Sequence, residues 1–186
     1  IDISKAVVIE NQFTDTEITE IFSLLEKLNY EEATILSKEN GSNLNLDVRK
    51  SKVKWLYQNQ DTTWLYKKIM QIIHSVNLNK WNFELVMARE PIQYTEYDID
   101  GEYDWHIDTG MGLSAQRKVS MSLLLSDSDE YEGGDLEIWP GGEVKVMPRI
   151  KNSMVIFPSC LMHRIAPVTK GVRKSLVLWV GGTPYR

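Results

Sequence analysis

The chain has 186 residues, 42% hydrophobic and 25% charged, which is the size and balance of one globular domain with a full core and excludes a disordered, collagenous or coiled-coil description. A formal charge of −5 argues against dedicated nucleic-acid binding, which needs a basic face, and no apolar run reaches the ~18 residues of a membrane span. The single cysteine, Cys160, excludes an internal disulfide and a multi-cysteine zinc site and suits a reducing compartment, so the expected location is the cytoplasm; no targeting segment stands in the residues shown, and an opening at Ile1 rather than Met leads us to expect that earlier residues are missing.

In chain order, Thr14-Asp15-Thr16-Glu17 has the form of a capping box. Ile18, Ile21, Phe22, Leu25 and Leu28 follow at helical spacing, so a helix is expected there. Asn40-Gly41-Ser42-Asn43 marks a turn. Val48 to Leu56 alternates like a strand, with Val53 and Trp55 on one side and Lys52 and Lys54 on the other. Its basic stretch, Arg49 to Lys54, could touch an anion but reads first as the wet face of an edge strand, charged against edge-to-edge pairing. A second helix is expected from Asp61, with Leu65, Ile69, Ile72, Ile73 and Val76 in one stripe and His74 off it as a surface residue.

After Asn77 short β-rich runs appear at Trp81–Met87, Ile92–Tyr97, Val119–Leu125, Leu136–Trp139, Val144–Met147, Met154–Phe157 and Ser175–Val180. Turn chemistry separates them, at Asp98-Ile99-Asp100-Gly101, Glu132-Gly133-Gly134, Pro140-Gly141-Gly142 and Lys170-Gly171. Helices first and close-set strands later predict a single α+β domain, mainly β, with residues 1–80 as helix-rich support and 81–186 as a sandwich or barrel. Acidic residues crowd two segments, from Glu96 to Asp108 and from Asp127 to Glu137, and read as solvated loops and turns. If they flank a site, they would attract a basic peptide or protein. Trp105, Tyr131 and Trp139 could line a cleft, but strand aromatics more often pack.

Only three histidines are present. His106-Ile107-Asp108 would place an imidazole and a carboxylate on one face of an extended strand. Alone the pattern is weak, since a His-x-Asp arises by chance in roughly one such chain in five. His163 lies well downstream, followed by Arg173 and, on the same strand face, Ser175. Two histidines and one carboxylate can occupy one triangular face of an octahedron, which is the signature of non-haem Fe(II) oxygenases. A keto acid could fill two of the open positions and leave the third for dioxygen. A buried arginine then has a use, because its planar fork can hold the far carboxylate of a dicarboxylic cosubstrate.

His106-x-Asp108, His163 and Arg173-x-Ser175, in that order and spacing, resemble the Fe(II)- and 2-oxoglutarate-dependent dioxygenases. The run from Tyr97 through Gly101 and Tyr103 to Asp108 is similar to the Tyr-x-x-Gly-x-x-aromatic-x-x-His-x-Asp stretch of prolyl-hydroxylase-like members, with one extra residue before the glycine. The hairpin Tyr131 to Leu136, Phe157-Pro158-Ser159 and the stretch from His163 to Trp179 extend the likeness, and PKHD-type hydroxylases of bacteria and phage resemble the chain most. The resemblance implies a double-stranded β-helix, a jelly-roll core buttressed by the N-terminal helices. It implies that His106, Asp108 and His163 bind iron, that Arg173 holds the distal carboxylate of 2-oxoglutarate, that Tyr97 bonds near the cosubstrate and that Trp179 lines the cavity. It implies a hydroxylase that consumes dioxygen and 2-oxoglutarate, releases succinate and carbon dioxide, and uses ascorbate as an accompanying reductant; Asp108 sets it apart from halogenases.

One departure is visible. Some animal prolyl hydroxylases assist the arginine with a tyrosine on the strand after His-x-Asp, where this chain has Leu124; Ser120, Ser122 or Ser175 is expected to supply that hydroxyl. The prime substrate expected from the resemblance is a peptidyl side chain, proline first, with a free amino acid, a lipid or a nucleobase also open. Two readings from other classes stay open at this point. A zinc hydrolase can use the same three ligands but has no need of Arg173, and a non-catalytic jelly-roll could bind a ligand without any metal set.

Overall fold

The computed structural model describes residues 2–32 and 49–183. The turn expected at Asn40-Gly41-Ser42-Asn43 lies outside the described residues. The chain runs through β1 (Val7–Glu10), α1 (Asp15–Glu26), β2 (Glu31–Glu32), β3 (Arg49–Lys50), β4 (Lys52–Leu56), α2 (Thr63–Lys80), β5 (Leu85–Ala88), β6 (Ile92–Tyr97) and β7 (Glu102–His106). A short 3-10 helix at Gly112–Gln116 leads into β8 (Arg117–Leu124), β9 (Tyr131–Gly133), β10 (Leu136–Trp139), β11 (Lys145–Val146), β12 (Ser153–Pro158), β13 (Met162–Ile165), β14 (Val168–Gly171) and β15 (Arg173–Gly182). No described helix is long and apolar enough to cross a membrane.

The strands form an eight-stranded antiparallel sheet ordered β1-β12-β8-β15-β6-β4-β2, with β5 also on β15, and a five-stranded sheet ordered β11-β10-β13-β7-β3. A β9–β14 ribbon completes the double-stranded β-helix. The mainly β class and the jelly-roll core are therefore as the sequence predicts. The first 80 residues do more than buttress it: β1 extends the large sheet beside β12, β4 extends it beside β6, and β3 closes the small sheet beside β7.

The two central strands show why the site lies where it does. On β8, Val119, Met121 and Leu123 belong to the core shared with the helices, while Ser120 and Ser122 point to the other face. On β15, Leu176, Leu178 and Val180 join that same core, and Arg173, Ser175, Val177 and Trp179 face the opposite way. The two-residue period of a strand thus separates an apolar face, which holds the helices, from a polar face turned into the barrel. A second, smaller core of Tyr97, Leu136, Ile138, Val155, Phe157, Leu161, Ile165 and Val168 fills the space between the sheets.

The helices differ slightly from their predicted limits. Asn59 Oδ1 accepts from the amides of Asp61 and Thr62, an Asx turn that delays α2 to Thr63. At its other end Trp81 caps the helix and is 1% exposed, so the following strand starts at Leu85 rather than at Trp81. The basic stretch is corrected in part: β3 does end the small sheet, and Lys50 and Lys52 are exposed. β4 is no edge, since it pairs with both β6 and β2, and Lys54 is buried with its Nζ donating to Leu25 O at 2.9 Å and lying over the Tyr30 ring. A long lysine stem can cover apolar surface if its ammonium finds an acceptor, and the C-terminal carbonyls of α1 supply one.

The capping box of α1 is formed: the Glu17 amide donates to Thr14 Oγ1 at 3.2 Å and the Thr14 amide to Glu17 Oε2 at 2.8 Å. The Lys68 ammonium, and then the Thr14 amide, hold the Glu17 carboxyl below its ordinary range. Because the folded pKa is lower than the unfolded one, this contribution to stability is complete above the unfolded value of 4.5 and fades as pH falls through the depressed one. Thr14→Ala is expected to cost about 1 kcal/mol, read as a melting temperature lowered by roughly 2–4 °C. A differential scan at pH 7 checks it.

Candidate active site

His106 ends β7, and His163 sits opposite it in register on β13. Their ring centroids are 4.2 Å apart. His106 Nδ1 lies 2.7 Å from Asp104 O and His163 Nδ1 lies 2.9 Å from Leu161 O. A carbonyl only accepts, so each Nδ1 carries a proton and each Nε2 is the ring atom left to face the site. Both Nε2 atoms converge on one carboxylate: His106 Nε2 is 3.6 Å from Asp108 Oδ1, and His163 Nε2 is 3.5 Å from Asp108 Oδ2. The three donor atoms lie within 4.8 Å of one another and form the one such group among the described residues. His74 on α2 takes no part in it.

Asp108 does not get there by strand geometry alone. β7 stops at His106, and the chain bends so that the amides of Asp108 and Thr109 both donate to Ser159 O, at 2.9 and 3.2 Å. Ser120 Oγ then donates to Asp108 Oδ2 at 2.6 Å and lies 2.9 Å from Ser159 Oγ. Burial alone would raise the Asp108 carboxyl, but His163, His106 and Ser120 outweigh it and hold it far below its usual value, so it is ionised. Burial pushes the His163 imidazole down, which favours the neutral ring a metal requires. Tyr103 stacks on His106 at 3.5 Å between centroids, and Phe157 meets His163 edge-on at 4.8 Å. Rings packed on both imidazoles fix their planes. Ser120→Ala is expected to weaken metal binding by about 10- to 100-fold with little change in fold, as measured by competition with a chromogenic chelator.

The trio opens into a cavity of about 470 Å³, part of it open to solvent, between the two sheets. Arg173 also lines it, at 4% exposure. Its Nη1 donates to Ser175 Oγ at 3.0 Å, and its Nε has no partner. Burial pushes the guanidinium down from its ordinary value, and the phenols of Tyr131 and Tyr97 partly offset that. No described carboxylate pairs with it; Asp135, the nearest in influence, is paired with Arg149 at 3.3 Å. A buried cation with neutral partners and an orphaned donor is costly unless an anion completes it. Gly134 makes room for it: a Cβ there would stand 3.2 Å from Arg173 Cδ and 2.9 Å from Val168 Cγ2, and its φ of +62° suits glycine.

The other predicted residues are placed as follows. Tyr97 is buried beside Arg173, its register partner, and lines the cavity. The extra residue before Gly101 is absorbed in a turn with Asp100 at φ 63°, which leaves Tyr97 on β6. Trp179 lines the cavity with its Nε1 unpartnered and the Arg117 guanidinium 4.0 Å over its ring. Ser122 also lines it. Of the hydroxyls expected to assist Arg173, Ser175 does so, whereas Ser120 is spent on Asp108. Tyr131, 2% exposed, provides the aromatic hydroxyl from a different strand, β9, than the Leu124 position where it was sought. Trp105 and Trp139 are absent from the cavity wall, which instead includes Arg49, Gln93 and Tyr103.

Part of the acidic charge is paired in place. Asp98 pairs with Lys52, Asp127 with Lys151, Glu132 with Lys170 and Glu137 with Arg164, while Glu96 accepts from the hydroxyls of Tyr30 and Tyr94.

Residues 92–181 match the family model of the 2OG-Fe(II) oxygenase superfamily. A PKHD-type hydroxylase of Gloeothece citriformis is 39% identical over 89 residues, 47% of this chain and 40% of that protein. Another, from Synechococcus elongatus, is 30% identical over 135 residues, 69% of this chain and 60% of that protein. The chain thus spans between 40% and 60% of the length of these curated relatives. Among solved structures, a prolyl hydroxylase of Trichoplax adhaerens, in complex with a hypoxia inducible factor peptide fragment, superposes with a TM-score of 0.77 at 17% identity, covering 95% of this chain and 83% of that one. The viral collagen prolyl hydroxylase of Paramecium Bursaria Chlorella virus-1 gives a TM-score of 0.68 at 16% identity over 96% of both chains.

Proposed function

From the premise that this chain, through residues 92–181, belongs to the 2OG-Fe(II) oxygenase superfamily, we propose that it hydroxylates a C–H bond of a peptidyl substrate, proline first, at the expense of 2-oxoglutarate and dioxygen. The observation that carries the reading is the pairing of a histidine–aspartate–histidine face with a buried, uncompensated arginine in one cavity. A zinc hydrolase would leave Arg173 without a use, and a passive binding module would not need the three donors.

The residues fit the absent groups. His106, Asp108 and His163 would hold Fe(II), and Arg173 with Ser175 would hold the distal carboxylate of 2-oxoglutarate, to which its orphaned Nε offers a further donor. When bound, iron with the keto acid would supply oxidative decarboxylation to succinate and carbon dioxide, one atom of dioxygen entering succinate and the other the substrate, with ascorbate outside that balance keeping the iron ferrous. The chain's own part is to turn both Nε2 atoms toward one point, keep Asp108 ionised and exclude water with Phe157, Tyr97 and Trp179. A peptidyl substrate is supported by the peptide in the complex of the Trichoplax protein. The reading includes a cytoplasmic, reducing setting, which suits the free thiol of Cys160.

Anaerobic reconstitution with Fe(II), 2-oxoglutarate and ascorbate, followed by air and prolyl peptides, tests it. The expected result is succinate formation that requires both iron and oxygen, with a peptide gaining the mass of one oxygen atom. Turnover without oxygen, or with zinc in place of iron, would exclude it.

A further inference from the structure

The cavity holds a second arginine that neither the metal nor the keto acid accounts for. Arg49 lies on β3, whose register sets it opposite Tyr103, and its guanidinium stands 4.9 Å over the Tyr103 ring. Tyr103 in turn stacks on His106. Arg49 therefore belongs to the wall beside the metal ligands, while Arg173 extends from β15 into the same space.

Every described partner of Arg49 is neutral. Nε donates to Ser51 Oγ at 2.8 Å, and Nη2 donates to Gln93 Oε1 at 2.6 Å and reaches Thr95 Oγ1 at 3.5 Å. Gln93 and Thr95 are themselves 4% and 1% exposed, and Thr95 Oγ1 donates to Gln93 Oε1 at 3.1 Å, so the acceptors are fixed from behind. Nη1 has no hydrogen bond among the described residues, although a guanidinium offers five N–H donors in a rigid fork. Glu102 follows on the paired strand opposite Lys50 and Asp108 lines the same cavity, yet no carboxylate forms an ion pair with Arg49 among the described residues. A positioned cation with open donors, set at an active-site wall and lacking a counter-charge among the described residues, is a half-built anion site.

We propose that Arg49, braced by Gln93 and Thr95, is a specificity-determining residue that binds a carboxylate of the prime substrate while the adjacent C–H bond faces the metal site. This rests on the oxygenase reading and sets its substrate class as one bearing or adjoining a carboxylate. Two sources share that chemistry: the α-carboxylate of a free amino acid or chain terminus, and an acidic side chain within a peptide.

The test uses the full chain loaded with Zn(II), as a redox-inert stand-in for iron, and saturating 2-oxoglutarate, which occupies Arg173. The Arg49 Nε–Hε resonance, assigned from its loss in Arg49→Gln, is followed during titration with N-acetylglycine and with its uncharged amide. The expected result is a saturable shift with the acid only. Arg49→Lys, which keeps the charge but loses the fork, should weaken binding of the acid several-fold when followed through the neighbouring Tyr103 ring signals. L-proline and N-acetylglutamic acid α-amide then separate the two sources, the first mimicking an α-carboxylate and the second an acidic side chain. Equal shifts with acid and amide, or none with either, would overturn the proposal. Oxygen-dependent succinate release by the iron-loaded wild-type protein reports on the oxygenase reading separately, so that the two can fail independently.

Discussion

Replacing Arg173 with methionine is expected to stabilise the cofactor-free protein and to destroy its use of 2-oxoglutarate. Both effects follow from one feature, a guanidinium 4% exposed with an unpartnered Nε and no described carboxylate beside it. Without cosubstrate, such a charge is a net burden; replacing buried ionic groups by apolar ones of similar volume gains about 1–4 kcal/mol in favourable cases. For a chain of this size that corresponds to a melting temperature higher by several degrees, about 2–4 °C per kcal/mol. With cosubstrate, removing one partner of a buried, hydrogen-bonded charge pair costs about 2–5 kcal/mol or more, so 2-oxoglutarate should bind about 100-fold more weakly or worse. Thermal scans with and without 2-oxoglutarate read both at once. A variant less stable than wild type in the absence of cosubstrate would show that Arg173 has a structural counter-charge, contrary to this account.

The second large effect is expected at Asp108. Asp108→Asn keeps the shape and a hydrogen bond to Ser120 but replaces the charged donor shared between the two imidazoles. Iron affinity and succinate formation should both fall by about 100-fold or more, since even indirect partners of a metal site are worth 10- to 100-fold. Iron content by metal analysis after desalting, with circular dichroism to confirm the fold, checks it. Retention of iron at wild-type stoichiometry would place the metal elsewhere.

How much of this was legible beforehand depends on the range of the interaction involved. The convergence of His106, Asp108 and His163 was readable because histidine is scarce in the chain and the spacing of the three is bound to the fold, and the placing of Arg173 because a strand's two-residue period put it with Ser175 on a polar face. The capping box at Thr14 was readable because it is wholly local. Tyr131 as a partner of Arg173 was not, since the ribbon that brings β9 across is set by the pairing of β9 with β14 and not by anything near either residue. Arg49 and Lys54 were misread for a related reason. Alternation tells which side chains share a face but not whether that face is wet, and here a helix end covers Lys54 while the small sheet turns Arg49 into the barrel. Short strands such as β13 and β14 carry too few residues for a period to show, though their ladders position His163 and the turn at Gly133.

The most direct test of the central claim is anaerobic crystallography with Fe(II) and 2-oxoglutarate, using anomalous scattering at the iron edge. One anomalous peak is predicted within bonding distance of His106 Nε2, His163 Nε2 and the Asp108 carboxylate, with the dicarboxylate running from that peak to the Arg173 guanidinium. A peak elsewhere, or a dicarboxylate that leaves Arg173 untouched, would contradict the account.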